Sequence, residues 1–146
     1  METPTRQVSR RLHEEHVATL ALWSRVEAAL AAGKADAQLM RDAAASLAEE
    51  IAHHFDFEEK ELFPRLAAAG EGDIAQLLEE EHATIRAAAA RFIDLAKKEF
   101  SAELRRLGLE LAERLVSHVQ KEEMSLLPVL DDLLDEDTDD ALTAAY

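Results

Sequence analysis

Two segments of the sequence repeat an arrangement of histidine and glutamate that suits a metal ion. Residues 54–64 read HFDFEEKELFP, and residues 118–128 read HVQKEEMSLLP. Both follow the pattern His-apolar-x-x-Glu-Glu-x-x-Leu-apolar-Pro. On a helix, residues four apart lie on the same face, so each histidine and the first glutamate of its segment point the same way. The two pairs are His54 with Glu58 and His118 with Glu122.

Two more histidines lie on the apolar faces of other predicted helices. His16 is four residues after Leu12, and His82 is four residues after Leu78, so each falls on an apolar stripe with helical spacing. Each also follows a glutamate. The domain therefore reads as one helix pair used twice, with one histidine on the first helix and a histidine–glutamate pair on the second.

Four long helices are predicted around these residues. Their predicted bounds are Thr5 to Gly33, Asp36 to about residues 69–72 with a bend or weakening at Pro64, Asp73 to residues 97–99, and Ser101 to Leu133 beyond Pro128. Thr5 is predicted to cap the first of these helices. The acidic run at residues 135–140 is predicted to be a frayed tail. Short connections between long helices favour an all-α, antiparallel up-down-up-down four-helix bundle.

The four histidines are predicted to lie at one level of this bundle. His16 and His54 are almost equally far along the chain from the first turn, and His82 and His118 are equally far from the third turn. At about 1.5 Å of rise per residue, both pairs lie roughly 25 Å from turns at the same end of the molecule. Imidazoles and carboxylates buried together need partners, and two metal ions would satisfy all of them.

Composition limits the other kinds of function. The chain has 146 residues, no cysteine and a net charge of −15, which excludes thiolate and iron–sulfur ligation and disfavours binding to nucleic acid or to anionic membranes. We expect a single cytoplasmic domain over residues 1–146, with a core at about residues 6–134 and an acidic tail at residues 135–146. Imidazole and carboxylate ligands suit iron, manganese or zinc, and the residues alone do not decide among them.

The order Glu-His, His-x-x-x-Glu-Glu, Glu-His, His-x-x-x-Glu-Glu resembles that of the hemerythrin-like, or HHE, cation-binding family, from about Leu12 to Pro128. The resemblance implies a non-haem di-iron centre with an oxo or hydroxo bridge. It implies that the terminal ligands are His16, His54, His82 and His118 and that the bridging ligands are Glu58 and Glu122. It also implies an open position for dioxygen, nitric oxide or peroxide.

Two departures separate the chain from the oxygen-carrying hemerythrins. Those proteins have a second histidine four residues after the one on the third helix, where this chain has Arg86, and their fourth-helix carboxylate is a differently placed aspartate, where this chain has Glu122. The ligand set is closer to the four-histidine, two-glutamate proteins linked to repair of iron–sulfur centres or to iron and gas sensing. Reversible storage of dioxygen is therefore not expected.

Residues beside the proposed ligands are given structural roles. His13 and His53 are expected at the surface or behind the ligands, and Glu59 and Glu123 are expected on a solvated helix face or in a helix-surface pair. Glu61 could approach the edge of the site. The aromatic residues are expected to form the core and keep the centre dry, namely Trp23, Phe55, Phe57, Phe63 and Phe92.

Three functions are compatible with these features. The first is a di-iron protein that binds or senses a small gas or peroxide, or that holds iron. The second is a di-iron oxidase, a peroxidase or an enzyme that handles nitric oxide and is linked to repair of iron centres, although no catalytic residue beyond the ligands is legible. The third is a structural bundle whose histidines hydrogen-bond among themselves. We favour the first.

Overall fold

The computed structural model describes residues 3–146, which contain helices and no strand. The helical segments are α1 (Gln7–Ala31), α2 (Ala37–Glu50), π1 (Ile51–Phe55), π2 (Glu58–Leu62), α3 (Phe63–Ala68), α4 (Gly72–Ala96), α5 (Ala102–Lys121), π3 (Glu122–Leu126), α6 (Leu127–Leu133) and α7 (Glu136–Ala145). The segments from α2 to α3 form one long helix, and those from α5 to α6 form another. The prediction of an all-α protein is confirmed.

The long helices pack around a shared interior. α1 packs against α5 and also contacts α2, while α4 packs against α2, α3 and α5. The C-terminal helix, α7, lies outside the four long helices and packs against α1. None of the helices in residues 3–146 is long and apolar enough to cross a membrane.

The interior contains two apolar clusters with a polar layer between them. The first cluster includes Trp23, Phe92 and Leu111, and the second includes Leu12, Leu66, Leu78 and Leu130. Along α1, the buried His16 lies between Leu12 of the second cluster and Trp23 of the first. Along α4, His82 lies in the same way between residues of the two clusters. Burial of apolar surface on both sides therefore holds the polar layer in place.

Two short π-helical segments, π2 and π3, lie within the repeated sequences, and π1 overlaps the start of the first repeat. Pro64 and Pro128 each fall in the first turn of the α-helix that follows such a segment. A proline ring clashes with the carbonyl four residues back, and a π turn, which bonds five residues back, gives that carbonyl more room. Both helices therefore continue past their prolines, with a changed hydrogen-bond register at the level of the histidines.

The start of α1 is capped from a distant part of the chain. We predicted that Thr5 would cap it, and this was wrong. The buried carboxylate of Asp139 accepts hydrogen bonds from the backbone N–H groups of Gln7 at 2.9 Å and Val8 at 3.0 Å. Asp131 accepts another from the backbone N–H of Thr5 at 2.9 Å. These bonds satisfy donors that the first turn of a helix cannot pair internally.

The prediction that residues 135–140 form a frayed tail was also wrong. Asp135 accepts a hydrogen bond from the backbone N–H of Thr138 at 2.7 Å and so caps α7. Leu142 is buried in the second apolar cluster. The acidic residues therefore begin a packed helix, in keeping with the favourable position of negative charge at a helix N-terminus.

We expect Asp139→Ala to lower the free energy of unfolding by about 1–2 kcal/mol, because it removes the cap of α1 and leaves buried N–H groups unpaired. Urea denaturation followed by circular dichroism measures this change. Asp137→Ala, at an exposed position of the same helix, is the control and should change stability by a few tenths of that amount. Equal effects of the two substitutions would contradict the capping role.

Candidate metal centre

All six residues predicted as metal ligands are buried and meet in the polar layer. None has more than 2% of its surface exposed, and they are His16, His54, Glu58, His82, His118 and Glu122. The histidines of α1 and α4 face the histidine–glutamate pairs of the two long helices that contain the π segments. The predicted convergence of the four helices on one level is thus found in the structure.

The six side chains form two overlapping groups, each compact enough to surround one cation. One group contains His16 and His54, and the other contains His82 and His118. Glu58 and Glu122 belong to both groups, and the ligand atoms within each group lie within 4.8 Å of one another. We call the first the His16/His54 position and the second the His82/His118 position.

Glu58 faces both positions with different oxygens. Its Oε2 lies 3.3 Å from Nε2 of His54, and its Oε1 lies 3.2 Å from Nε2 of His82. Both oxygens are buried and have no hydrogen-bond partner in the described part of the chain. A buried carboxylate with unpaired oxygens is strongly unfavourable, so these lone pairs fit a site that a cation completes.

Glu122 bridges the two positions in the same manner. Its Oε1 lies 2.9 Å from Nε2 of His16, and its Oε2 lies 3.5 Å from Nε2 of His118. Burial alone would raise the pKa of Glu122, but the positive charge of His118 and the hydrogen bond from His16 hold it well below its usual range. The side chain is therefore ionised, which is the form that binds metal.

The two histidines of the His82/His118 position are already spaced as ligands of one ion. Their Nε2 atoms lie 3.0 Å apart. Two nitrogens about 2.1 Å from one ion, at right angles to each other, would lie about 3.0 Å apart. The donor set of imidazole nitrogen and carboxylate oxygen suits iron, manganese or zinc.

Each of the four histidines has a carboxylate beside its outer ring nitrogen. The Nδ1–oxygen distances are 2.7 Å for His16–Glu123, 2.7 Å for His82–Glu59, 2.9 Å for His118–Glu81 and 3.5 Å for His54–Glu15. When a cation is bound, an Nδ1–H that donates outward leaves the lone pair of Nε2 free to bind it, although Nδ1 of His54 makes no hydrogen bond within the described residues. Such partners orient a ligating imidazole and increase its basicity.

The prediction that Glu59 and Glu123 lie on a solvated face or in a helix-surface pair was wrong for Glu123, whereas Glu59 does form a partly exposed pair with Arg86. Only 3% of the Glu123 side chain and 23% of the Glu59 side chain are exposed, and both contact histidine rings of neighbouring helices. In each repeat, the first glutamate points into the cluster, and the second supports a histidine of a neighbouring helix. The doubled glutamate in both repeats was the signal for this role.

The remaining polar residues near the cluster behave largely as predicted. His13 is partly exposed and lies 2.5 Å from Glu123, so its placement behind the ligands is confirmed. The ring of His53 donates a hydrogen bond from Nε2 to the backbone carbonyl of Tyr146 at 2.6 Å. Glu61 is exposed on the helix surface.

The aromatic side chains predicted to form the core are buried, and two of them contact a histidine of the cluster. All five are buried, with no more than 7% exposed, namely Trp23, Phe55, Phe57, Phe63 and Phe92. The ring of Phe55 stacks on His82 with 3.8 Å between centroids, and Phe63 lies 5.1 Å from the same ring. These contacts fix the imidazole and limit the access of water to the cluster.

The sequence prediction missed Tyr146, which follows α7. Its ring stacks on His53 with 4.4 Å between centroids and lies edge-on to His54 at 6.4 Å. Its hydroxyl is buried beside Glu15 and makes no hydrogen bond of good geometry in the described range. Burial, followed by the neighbouring carboxylates, raises the pKa of this phenol, so it keeps its proton at physiological pH. Its place beside the cluster depends on the packing of α7, which the sequence pattern did not indicate.

Comparison with known proteins identifies one family. The family model described as the hemerythrin HHE cation binding domain matches residues 7–130. No curated protein sequence and no solved structure gave a significant match. The matched residues include all six side chains of the cluster.

Proposed function

The chain belongs to the hemerythrin HHE cation-binding domain family, and from this premise we propose that it is a non-haem di-iron protein. It binds or senses a small molecule such as dioxygen, nitric oxide or peroxide, or it holds iron. The proposal takes residues 1–146 as one domain whose four long helices alternate in direction, as the short connections between them favour.

The ligand assignment follows the two groups of side chains. His16 and His54 would bind one ion, and His82 and His118 would bind the other. Glu58 and Glu122 would bridge the two ions. A pair of iron ions would supply redox-active centres with positions open to a small ligand, because six protein groups do not complete two octahedra.

The observation that carries the proposal is the pair of shared carboxylates. Each directs one oxygen toward the histidines of one position and the other oxygen toward the histidines of the second. A site for a single ion would not need both carboxylates to span two pairs of histidines. Iron is favoured over manganese and zinc by the family, whereas the donor atoms suit all three.

Metal analysis after reconstitution tests the proposal. The purified protein is loaded with Fe²⁺ without oxygen, desalted and exposed to air or nitric oxide. We expect two iron ions per chain and a charge-transfer absorption band near the ultraviolet edge that changes when the gas is added. Fewer than about one bound ion per chain after careful loading would overturn the proposal.

A structural role for the histidines is supported less well. Although Nε2 of His82 and His118 are within hydrogen-bonding distance, both oxygens of Glu58 lack a hydrogen-bond partner among the described residues. A cluster built for stability alone would pair these atoms. Under the structural hypothesis, His54→Ala would lower stability without changing the metal content, whereas we expect it to lower the metal content.

An enzymatic role is the second candidate, and Tyr146 is the observation that favours it. Its buried hydroxyl keeps a proton beside Glu15 and close to the His16/His54 position. Turnover of peroxide or nitric oxide well above that of free iron would support an enzyme. In that case Tyr146→Phe should slow turnover while leaving two iron ions bound, and an unchanged rate would exclude a role for this proton.

We expect Glu123→Gln to weaken metal binding by about 10- to 100-fold, because the amide no longer supports His16 as a charged acceptor. Competition with a chelator of known affinity measures this change. Glu113→Gln, at an exposed site before His118 on α5, is the control and should bind metal like the unaltered protein. An equal affinity of Glu123→Gln and the control would mean that the carboxylate does not support the ligand.

A further inference from the structure

Resting on this proposed function, we propose that the two metal positions are unequal and that the His16/His54 position binds a divalent cation first. The difference comes from the groups that contact the carboxylates beside the Nδ1 atoms of the four histidines. Both carboxylates behind the His82/His118 position are paired with permanent cations. Those behind the His16/His54 position face an imidazole and a phenol.

Arg86 supplies the first of these cations. Its guanidinium donates from Nη1 to Oε2 of Glu59 at 2.5 Å, the same oxygen that lies 2.7 Å from Nδ1 of His82. The guanidinium is charged at every physiological pH. It therefore offsets the negative charge that Glu59 presents to the imidazole and adds a positive charge behind this position.

Lys121 supplies the second cation. Its ammonium group pairs with Oε2 of Glu81, whose Oε1 lies 2.9 Å from Nδ1 of His118. Lys121 lies three residues after His118 on α5, so the same helix that provides the ligand provides the cation. Both histidines of this position are thus backed by neutralised carboxylates.

The His16/His54 position has no such ion pair in the described range. Glu123, which supports His16, has His13 as its second partner at 2.5 Å. Glu15, which lies beside His54, has the Tyr146 hydroxyl as its neighbour. The guanidinium of Arg11 lies over the Tyr146 ring at 5.0 Å from its centroid and pairs with none of these carboxylates.

Geometry favours binding of the first ion at the His82/His118 position, whereas charge favours the His16/His54 position. The His82/His118 position has the better-placed ligands, because its outer hydrogen bonds are shorter than the 3.5 Å between His54 and Glu15. A divalent ion nevertheless interacts with each fixed charge at twice the energy of a monovalent one, and burial reduces screening. Since Arg86 and Lys121 are partly exposed, we expect a net preference of about tenfold for the His16/His54 position.

Anomalous X-ray scattering at partial loading tests this order directly. Crystals of metal-free protein are soaked to an average of one Co²⁺ per chain, and data are collected at the cobalt edge. We expect the main peak between His16 and His54 and a weaker peak between His82 and His118. Equal peaks or the reverse order would overturn the inference.

A charge-removal variant tests the cause. Arg86→Gln combined with Lys121→Gln should equalise the two peaks and tighten the weaker step of a Co²⁺ titration. The control is Lys60→Gln combined with Arg114→Gln, which removes the same charge from exposed ion pairs elsewhere. Arg86→Lys with Lys121→Arg keeps both charges and should keep the preference. A control that equalised the peaks equally well would overturn the assigned cause.

The outcomes also separate this inference from the proposed function. If two Co²⁺ ions bind with equal affinity, the di-metal site stands and the inequality fails. If no Co²⁺ binds, the proposed function itself fails, and the inequality fails with it.

Discussion

Replacing Glu58 by glutamine is expected to remove both metal ions, from two per chain to well below one. Each oxygen of Glu58 faces the histidine of a different position, so one substitution affects both. An amide has the same shape but offers one oxygen and no charge. Elemental analysis after reconstitution and desalting measures the loss.

Circular dichroism of the metal-free variant separates loss of metal from loss of folding, because glutamine fills nearly the same space as glutamate. Both oxygens of Glu58 lack a hydrogen-bond partner in the described part of the chain, so the substitution removes no hydrogen bond. Glu61→Gln, exposed three residues later, should keep both ions. Two tightly bound ions in Glu58→Gln would contradict a bridging role.

Local sequence patterns were sufficient to predict the helices and the four histidines and two glutamates of the cluster. Asp36 and Ser101 were predicted as the starts of two helices, and both cap them, with acceptor distances of 2.7 Å to the N–H of Leu39 and 3.1 Å to that of Leu104. These signals depend only on residues three apart in the chain. The inner histidines and glutamates followed from helical periodicity and from equal distances to the turns. Both kinds of evidence can be read without knowing how the helices pack.

The outer parts of the site could not be predicted in this way. Glu123 supports His16 across more than a hundred residues, and whether a side chain next to a ligand reaches a neighbouring helix depends on the rotation of both helices. The same limit applies to Asp139, whose acidic neighbours suggested a solvated tail. A carboxylate in an acidic run is usually solvated, and only the packing of α7 on α1 shows that the carboxylate of Asp139 is buried.

The π segments are a third feature that the pattern did not reveal. Spacing of four residues predicted the correct face for His54 and Glu58, although both lie in π-helical turns. Pro64 was the visible sign of an altered register. Because the changed turns lie at the level of the cluster, they help set the direction of its ligands, and such π turns often occur at functional sites.

The metal-free protein is expected to lose stability as the pH rises from about 6.5 to 10. Although burial alone would lower the pKa of His16, hydrogen bonds to Glu122 and Glu123 raise it to about 9. Burial is likewise outweighed at His118, where the charge of Glu122 and its hydrogen bond raise the pKa to about 10. Both lie above the ordinary value of 6.5, so the folded state binds more protons than the unfolded state between these limits.

The direction of the effect follows from this proton difference. The stabilisation is fully present below pH 6.5 and is lost as the pH rises through the raised values, by on the order of a few kcal/mol. The lowered pKa of Glu122 acts in the opposite direction, so stability is also lost when the pH falls below about 4.5. Metal-free stability should therefore be greatest at about pH 5–6.5.

Metal binding should reverse the trend above pH 6.5. A cation must displace the protons of His16 and His118, so its apparent affinity rises as those protons are lost, and the stabilisation that it adds grows with pH. Urea denaturation of chelator-treated and Zn²⁺-loaded protein at several pH values measures both trends. In the metal-free protein, His118→Gln should reduce the pH dependence of the unfolding free energy by the contribution of about one proton. Metal-free stability that stayed level or rose from pH 6.5 to 9 would show that these imidazoles are neutral, leaving the inner nitrogens free to bind metal without competition.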